Sequence, residues 1–509
     1  MLQNKFYITT AIPYASQKPH IGNAYDGILA DMIARYKRLK GLDVLLCTGM
    51  DEHGQKIQNS AQKAGITPQE YADDICEYTQ KVWEKLNVKY DLFIRTTSDF
   101  HKESVRTMFN KLYEKGDIYK GEYQGMYCVS CELFSTESQL EDGKCPDCGR
   151  DVAATTESAY FFRLSKYQDR LISYIEQNDN FIVPESRKKE MLNNFLKPGL
   201  QDLCVSRSTF DWGIKVDFDP DHVVYVWIDA LSNYITALGY HPDKLSEDFK
   251  KWWPADLHVI GKDIVRFHSI YWPAFLMALD IPLPRQILGH PWLLMGDRKM
   301  SKTDGNVLYT LDLCEKYGTD AVRYYSLSEM PYAADGVITE ELLVLKYNSD
   351  LANTLGNLVS RTVTMVKKYF GGIVPQDSEP GDHDEDLKHT ASVTVREYFE
   401  KMNEYRVGEA LNAVLNLARR ANKYIDETTP WILAKDENAK LRLGTVLYNL
   451  TEIVRILGVL LMPVMPESAQ SILTQAGSPD SSFDSLGSFG ALKAGTEVGE
   501  SRILFARIN

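Results

Sequence analysis

The chain has 509 residues, 44% hydrophobic and 25% charged, with 32 Gly and 20 Pro. These are globular averages, and they exclude disordered, collagen-like and mini-protein classes. The balance of 57 basic against 70 acidic residues, net −13, argues against a general nucleic-acid binder, so any nucleic acid must be held by local patches. At ~100–200 residues per domain the length predicts three or four domains, each able to bury a core. No wholly apolar stretch approaches the ~20 residues of a membrane helix. The N-terminal MLQNKFYITTAIPY lacks the basic and apolar regions of a secretory signal. Of the eight cysteines, four form two Cys-x-x-Cys pairs, which without a signal indicates metal or redox chemistry rather than disulfides. The expected compartment is cytoplasmic, with neither membrane nor DNA as a partner.

In chain order, Phe6–Thr10 predicts a strand. Asn23–Leu39 predicts a helix from the spacing of Ala24, Ile28, Met32 and Tyr36, stopped at Gly41, and Val44–Thr48 predicts a second strand. This β-α-β alternation predicts a parallel sheet flanked by helices. From Gly116 to Trp212 the pattern breaks into short strands, aromatic residues and the cysteine cluster, as an inserted module would. Strands then return at Val223–Ile228, Leu257–Ile260 and Gln286–Leu288, with a helix near Phe267–Ala278. Beyond Glu340 the chain turns helical, with Leu351, Leu355, Leu358, Val359, Val363 and Val366 on one face. Gln376–Asp386 holds six acids and a Pro-Gly and reads as a solvated loop; the last forty residues, rich in Gly and Ser, read as loosely packed.

Three features carry chemistry. Cys128-x-x-Cys131 and Cys145-Pro-Asp-Cys148-Gly149 are knuckles that place two thiolates each on a tight turn. Together they complete a tetrahedron around one Zn²⁺. Four thiolates leave no position for water, so this zinc is expected to be structural. The other cysteines, Cys47, Cys76, Cys204 and Cys314, read as core residues. His20-Ile21-Gly22-Asn23 stands between the first strand's loop and the first helix, where backbone amides can approach a polyphosphate. Taken alone, a histidine at a helix start more often caps it. Lys299-Met300-Ser301-Lys302-Thr303 lies between turn residues, and its two lysines can clamp a polyphosphate as point charges, though an isolated pair reads as a solvated basic loop.

In a parallel sheet both motifs would come to the carboxyl edge, where such folds bind nucleotides. The pair resembles the two signatures of class I aminoacyl-tRNA synthetases, in the right order with an insertion between. The resemblance covers essentially the whole chain and is closest to the methionyl-tRNA synthetases. Ala11–Tyr14, Gly49–Gly54, Val226–Ala230, Gly261–His268 and the Trp431 segment are similar to that family's blocks. Asn23 departs from the second histidine of many class I enzymes; an amide can position a phosphate but cannot become cationic.

The resemblance implies a Rossmann-type parallel-sheet catalytic domain with a zinc-containing insertion, followed by an α-helical anticodon-binding bundle. Its parts would be residues 1–115 and 213–300 (the two catalytic halves), 116–212 (the insertion), 301–345 (the lysine loop and connecting region) and 346–509 (the bundle). The implied activity is ATP-dependent activation of L-methionine to methionyl adenylate and transfer to the 3′ end of tRNA(Met), with Mg²⁺ accompanying ATP. By resemblance, His20, Asn23, Lys299 and Lys302 act on the phosphates, while Gly22, Gly261, Asp263 and Ser301, together with Lys302, bind ATP. Ile12, Tyr14, Trp227, Ala230, Tyr234, Ile264 and His268 enclose the side chain, and Asp51 holds the α-amino group. Asn357, Arg361 and Trp431 offer an amide, a guanidinium and an indole to unstacked anticodon bases. With no appended dimerising module, a monomer is expected. The alternatives are a class I synthetase for another apolar amino acid and a non-enzymatic zinc-containing tRNA-binding protein.

Overall fold

The computed structural model describes residues 4–129, 133–135, 140–146, 149–296, 298–300, 307–478 and 480–508. They divide into two compact units: residues 1–30 with 42–290, and residues 31–41 with 291–509.

The first unit is built on a six-stranded parallel sheet of β1 (Lys5–Thr10), β2 (Asp43–Met50), β3 (Leu92–Arg95), β4 (Ile182–Val183), β5 (Leu257–Gly261) and β6 (Ile287–His290). Its order is β3-β2-β1-β5-β6-β4, with Ile8 opposite both Leu46 and Leu257. Tyr7, Ile8, Leu46, Cys47, Leu257, Val259 and Ile260 are all buried, the near-continuous apolar run of strands covered on both faces. Helices α1 (Ile21–Leu39), α2 (Gln55–Ala64), α3 (Asp99–Glu114) and α4 (Val226–Thr236) accompany the sheet. Strands β1 to β3 run outward to one side and β5 and β6 to the other, so the strand order switches at β1 and β5. Ligands of open parallel sheets bind at the carboxyl ends of the strands at such a switch.

The run expected as a strand at Val223–Ile228 is divided: Asp219–Val224 is a strand, and α4 begins at Val226. The Tyr225 carbonyl accepts from the amides of Ile228 and Asp229 and starts the helix. Ten of the eleven α4 residues are buried, among them Asp229, Ser232, Asn233 and Thr236, whose helical spacing is obscured by the apolar run that overlaps the helix start. Within the stretch read as an insertion, Ile118–Cys128 and Ala153–Phe162 form a long antiparallel hairpin, in register from Ile118–Phe162 to Tyr127–Ala153. Arg207 fixes it with a 2.7 Å ion pair to Glu157 and a guanidinium 3.7 Å over the Tyr127 ring. Residues of the same stretch also supply β4, the edge strand of the main sheet.

The second unit is helical. Its four long helices are α5 (Asn357–Phe370), α6 (Asp384–Asn403), α7 (Val407–Thr428) and α8 (Lys440–Leu461). Every residue of α8 from Leu443 to Leu461 is buried. The segment Glu437–Leu461 is long and apolar enough to cross a membrane, yet its apolar window is wholly enclosed by protein, as in a bundle's core helix. The expected apolar face from Leu351 to Val366 is buried throughout.

Residues 376–383 form an exposed loop, as expected, while residues 384–386 open α6 and one of them departs; the expectation for the last forty residues is corrected. Asp384, inside the segment read as a solvated loop, is fully buried; it accepts both Arg442 guanidinium nitrogens at 2.6 and 2.7 Å and the Tyr424 hydroxyl at 2.6 Å. The C-terminal segment is pinned rather than loose. The buried Glu452 carboxylate accepts the amides of Gly490, Ala491 and Leu492 and pairs with Arg455 at 2.7 Å, while Val374 and Val498 bond across to Thr496 and Gly372. Glu452→Ala would leave the Arg455 charge buried without this carboxylate and the three amides without their acceptor. It is expected to cost about 3–5 kcal/mol, read as a lowered midpoint of urea unfolding; an unchanged midpoint would show that the tail does not depend on this carboxylate.

Candidate active site

His20 ends the loop that leaves β1. Its carbonyl accepts the amides of Asn23 and Ala24, and the Asn23 side-chain oxygen accepts the His20 amide at 3.2 Å. The Asn23 side chain is thus tied to the His20 backbone at the start of α1. The Gly22 amide donates to His20 Nδ1 at 3.1 Å, which places the proton of the neutral ring on Nε2. The ring therefore presents one fixed donor. At the end of β5, a Cβ on Gly261 would lie 2.7 Å from the Asp263 carboxylate, which turns back beside the strand end.

Asp51 continues β2. Its amide donates to the Pro13 carbonyl and its carbonyl accepts the Ala15 amide, bridging it to Tyr14 in the segment after β1. Ile12, Tyr14, Trp227 and Ile264 are half-buried; Ala230, Tyr234 and His268 are buried. Trp227 stacks on Phe267 at 3.7 Å, nearly parallel, and meets the His268 ring edge-on. His268 Nδ1 donates to the Ile264 carbonyl at 2.9 Å, and Tyr234 donates its hydroxyl to Nε2 at 2.6 Å. Burial holds His268 down at about 4, so this ring is neutral near pH 7. The polar atoms of Tyr234 and His268 are thus satisfied by one another and by backbone.

Of the zinc knuckles, Cys131 and Cys148 lie outside the described residues. Cys128 and Cys145 are both buried, at 1% exposure each, and Cys145 opens the expected turn: its carbonyl accepts the Gly149 amide at 2.8 Å, with Gly149 at φ 68°. A turn that buries its first cysteine and ends in a left-handed glycine suits a thiolate knuckle. The arm carrying it and α2 flank an open cleft lined by Lys56, Lys63, Lys144 and Arg150, with Asp151 its only acid among the described residues. In a chain of net charge −13 this is a local basic patch.

In the second unit, the backbone of Arg298–Lys299 pairs antiparallel with Leu293–Met295 across Gly296, and Met300 is buried. Ser301 and Lys302 lie outside the described residues. In the bundle, Asn357 is exposed at the start of α5, and Arg361 one turn on reaches Asp426 of α7 at 3.3 Å. Five residues past Asp426, after the left-handed Thr429 (φ 42°) and Pro430, Trp431 stands 41% exposed in a short helix. An indole that large left in solvent at a chain reversal can stack a base.

Sequence reasoning missed the groups behind this site. Asp229 is buried between two histidines, His53 and His101. Asp26 of α1 pairs with His290 at the end of β6. His53 and Asp229 lie inside two of the blocks carrying the resemblance, but 176 residues apart, with no local spacing to join them.

The comparisons bear on what this arrangement does. The family model described as tRNA synthetases class I (M) matches residues 6–159 and 153–363, and that of the anticodon binding domain of methionyl tRNA ligase matches residues 374–509. The methionine–tRNA ligase of Clostridium tetani is 56% identical over all of this chain and 79% of its own length. That of Caldanaerobacter subterraneus subsp. tengcongensis is 55% identical over all of this chain and 80% of its own. Among solved structures, Mycobacterium tuberculosis methionyl-tRNA synthetase in complex with methionyl-adenylate matches with a TM-score of 0.94 at 43% identity, covering 99% of this chain and 100% of that one. The apo form of the Mycobacterium tuberculosis enzyme matches with a TM-score of 0.86 at 40% identity, covering 99% and 98%.

Proposed function

The chain belongs to the methionyl-tRNA synthetases of class I, an enzyme family whose activity is methionine–tRNA ligation, and from that premise we propose which of its residues do the work. The alternatives of another amino acid or a non-enzymatic RNA binder fall away with it. His20, Asn23, Lys299 and Lys302 stabilise the charge that develops on the α- and β-phosphates as methionine attacks ATP, and Gly22, Gly261, Asp263 and Ser301 seat the nucleotide. Acyl-adenylate formation of this kind rests on positioning and charge stabilisation more than on covalent help. The His20 tautomer supports this role, because it keeps an N–H donor on Nε2.

The observation that carries the substrate assignment is the Tyr234–His268–Ile264 chain. The polar atoms of Tyr234 and His268 are already satisfied, so neither offers a ligand side chain a ready partner. The buried Trp227 indole N–H, which has no hydrogen-bond partner among the described residues, can only donate, so the set disfavours cationic amino acids. Trp227, Ile12, Tyr14, Ala230 and Ile264 add apolar surface suited to an unbranched thioether, and Asp51 holds the ammonium group. Tyr234→Phe takes the donor from His268 Nε2, a buried acceptor whose loss of a partner costs about 1–3 kcal/mol. Methionine Kd by titration calorimetry is expected to rise about tenfold or more. An unchanged Kd would place the side chain elsewhere.

One Zn²⁺ per chain is proposed on Cys128, Cys131, Cys145 and Cys148; when bound it ties the ends of the inserted hairpin together, since structural zinc contributes directly to folding. Cys145→Ser is expected to lose the metal by elemental analysis of protein purified without chelator, and zinc-free wild-type protein would contradict the assignment. Mg²⁺ is proposed to arrive on the ATP phosphates. The cleft of Lys56, Lys63, Lys144 and Arg150 supplies the local positive charge that the acceptor end of tRNA(Met) requires. Asn357, Arg361 and Trp431 read the anticodon. The catalytic halves 1–115 and 213–300, the insertion 116–212, the connecting region 301–345 and the bundle 346–509 are the proposed division of labour. A monomer in the cytoplasm is the proposed working form.

A further inference from the structure

Asp229 sits in the first turn of α4 with its side chain 1% exposed. Oδ2 accepts His53 Nδ1 at 2.7 Å, and Oδ1 accepts His101 Nε2, also at 2.7 Å. The other nitrogen of His101 bonds Thr236 Oγ1 at 2.7 Å, two turns further along α4, so His101 of α3 spans the helix face and holds the carboxylate in place. Burial alone would raise the Asp229 carboxyl; the two histidines outweigh it and hold it down at about 2, so it stays ionised as their common acceptor.

The elements joined are the two ends of the proposed amino-acid pocket. His53 lies two residues after Asp51, in a loop with little freedom of its own. The preceding Glu52 is buried and bonded to Arg95 and Thr97, the Trp212 indole donates to the Glu52 carbonyl at 2.6 Å, and the Gly54 amide donates to the Trp212 carbonyl at 3.0 Å. On α4, Asp229 stands between Trp227 and Ala230 and little more than one turn before Tyr234, all assigned to the side-chain cage. The His53–Asp229 bond is a side-chain hydrogen bond that links the loop of the ammonium anchor to the helix of the cage.

We propose that the His53–Asp229 pair is a gauge of side-chain length: it fixes the separation between Asp51 and the Trp227–Tyr234 helix, and so sets how strictly the site separates methionine from homologues one methylene longer or shorter. The proposal rests on the pocket assignment above. His53 and Asp229 are positioning residues that act through Asp51 and the cage. A methylene in an apolar pocket is worth ~10- to 200-fold at best, so discrimination on length depends on a separation that does not relax.

The test is amino-acid-dependent ATP–pyrophosphate exchange with methionine and ethionine, which is one methylene longer. The full-length wild type is compared with His53→Asn, whose amide nitrogen takes the place of Nδ1, and His53→Gln, whose nitrogen lies one bond further out. His53→Gln is expected to raise the methionine KM by about tenfold or more, to leave the ATP KM within about twofold, and to reduce the methionine-to-ethionine ratio of kcat/KM. His53→Asn is expected to restore most of both. Equal behaviour of the two variants, a parallel rise in both KM values, or an unchanged ratio would overturn the gauge. Asp51→Asn separates this from the underlying assignment. If it leaves the methionine KM unaltered, the ammonium anchor is wrong and the proposal falls with it; if it raises the methionine KM while His53→Gln does not, the gauge alone is wrong.

Discussion

His20→Ala is expected to lower the rate constant of methionine-dependent ATP–pyrophosphate exchange by ~10²–10³, the scale for removing one preorganised donor from developing charge. The Gly22 amide occupies Nδ1 and leaves the proton on Nε2, so the loss is of a single N–H. The methionine KM should barely move, because His20 stands at the start of α1 and contributes nothing to the Trp227–His268 cage. His20→Gln keeps an N–H at the ε position and is expected to recover part of the rate. Lys302→Ala should fall by a similar factor, since it removes a point charge from the same phosphates. An unaltered rate in both variants would remove the phosphates from these motifs altogether. A raised methionine KM at constant rate would mean that His20 shapes the amino-acid pocket instead.

Trp431→Ala is expected to leave methionine-dependent exchange nearly intact while aminoacylation efficiency falls by roughly 5- to 150-fold. That range is the ~1–3 kcal/mol of one base stacked on an aromatic side chain. The indole is 41% exposed at a chain reversal in the helical unit, so its removal opens no large cavity. Arg361, held toward the end of α7 by Asp426, is the accompanying test: Arg361→Ala should weaken tRNA binding and reduce its salt dependence, without affecting exchange. Should exchange and aminoacylation fall together in Trp431→Ala, the residue supports the fold. Should neither change, the anticodon is read by other side chains.

Local pattern sufficed for the parallel core. Phe6–Thr10, Val44–Thr48 and Leu257–Ile260 read as strands because β1, β2 and β5 are apolar on both faces, and α1 read as a helix because its polar face survives. The same criterion was misapplied at Val226–Thr236, where Asp229, Ser232, Asn233 and Thr236 repeat at helical spacing but the overlapping run of Val, Tyr and Trp imitates a strand. Asp384 and the glycine-rich last forty residues misled for a different reason. Composition counts charges and breakers, but Asp384 is buried because Arg442 lies 58 residues ahead, and residues 490–492 are ordered because Glu452 waits in α8. Partners at that separation leave no trace in spacing. The same holds for Asp229 with His53 and His101. Motif residues stood out in the sequence because they cluster along it, whereas the groups that position them converge only in space.

The central claim is that this chain activates methionine, and the most direct measurement is ATP–pyrophosphate exchange by the wild-type protein across a panel of amino acids. Exchange is expected with methionine and absent, at matched concentration, with isoleucine, valine, glutamate and lysine; leucine is expected to give at most a weak signal. Equal or faster exchange with another amino acid would contradict the substrate assignment, and no exchange with any, from protein shown to bind tRNA, would contradict the catalytic role of the His20 and Lys299–Lys302 motifs.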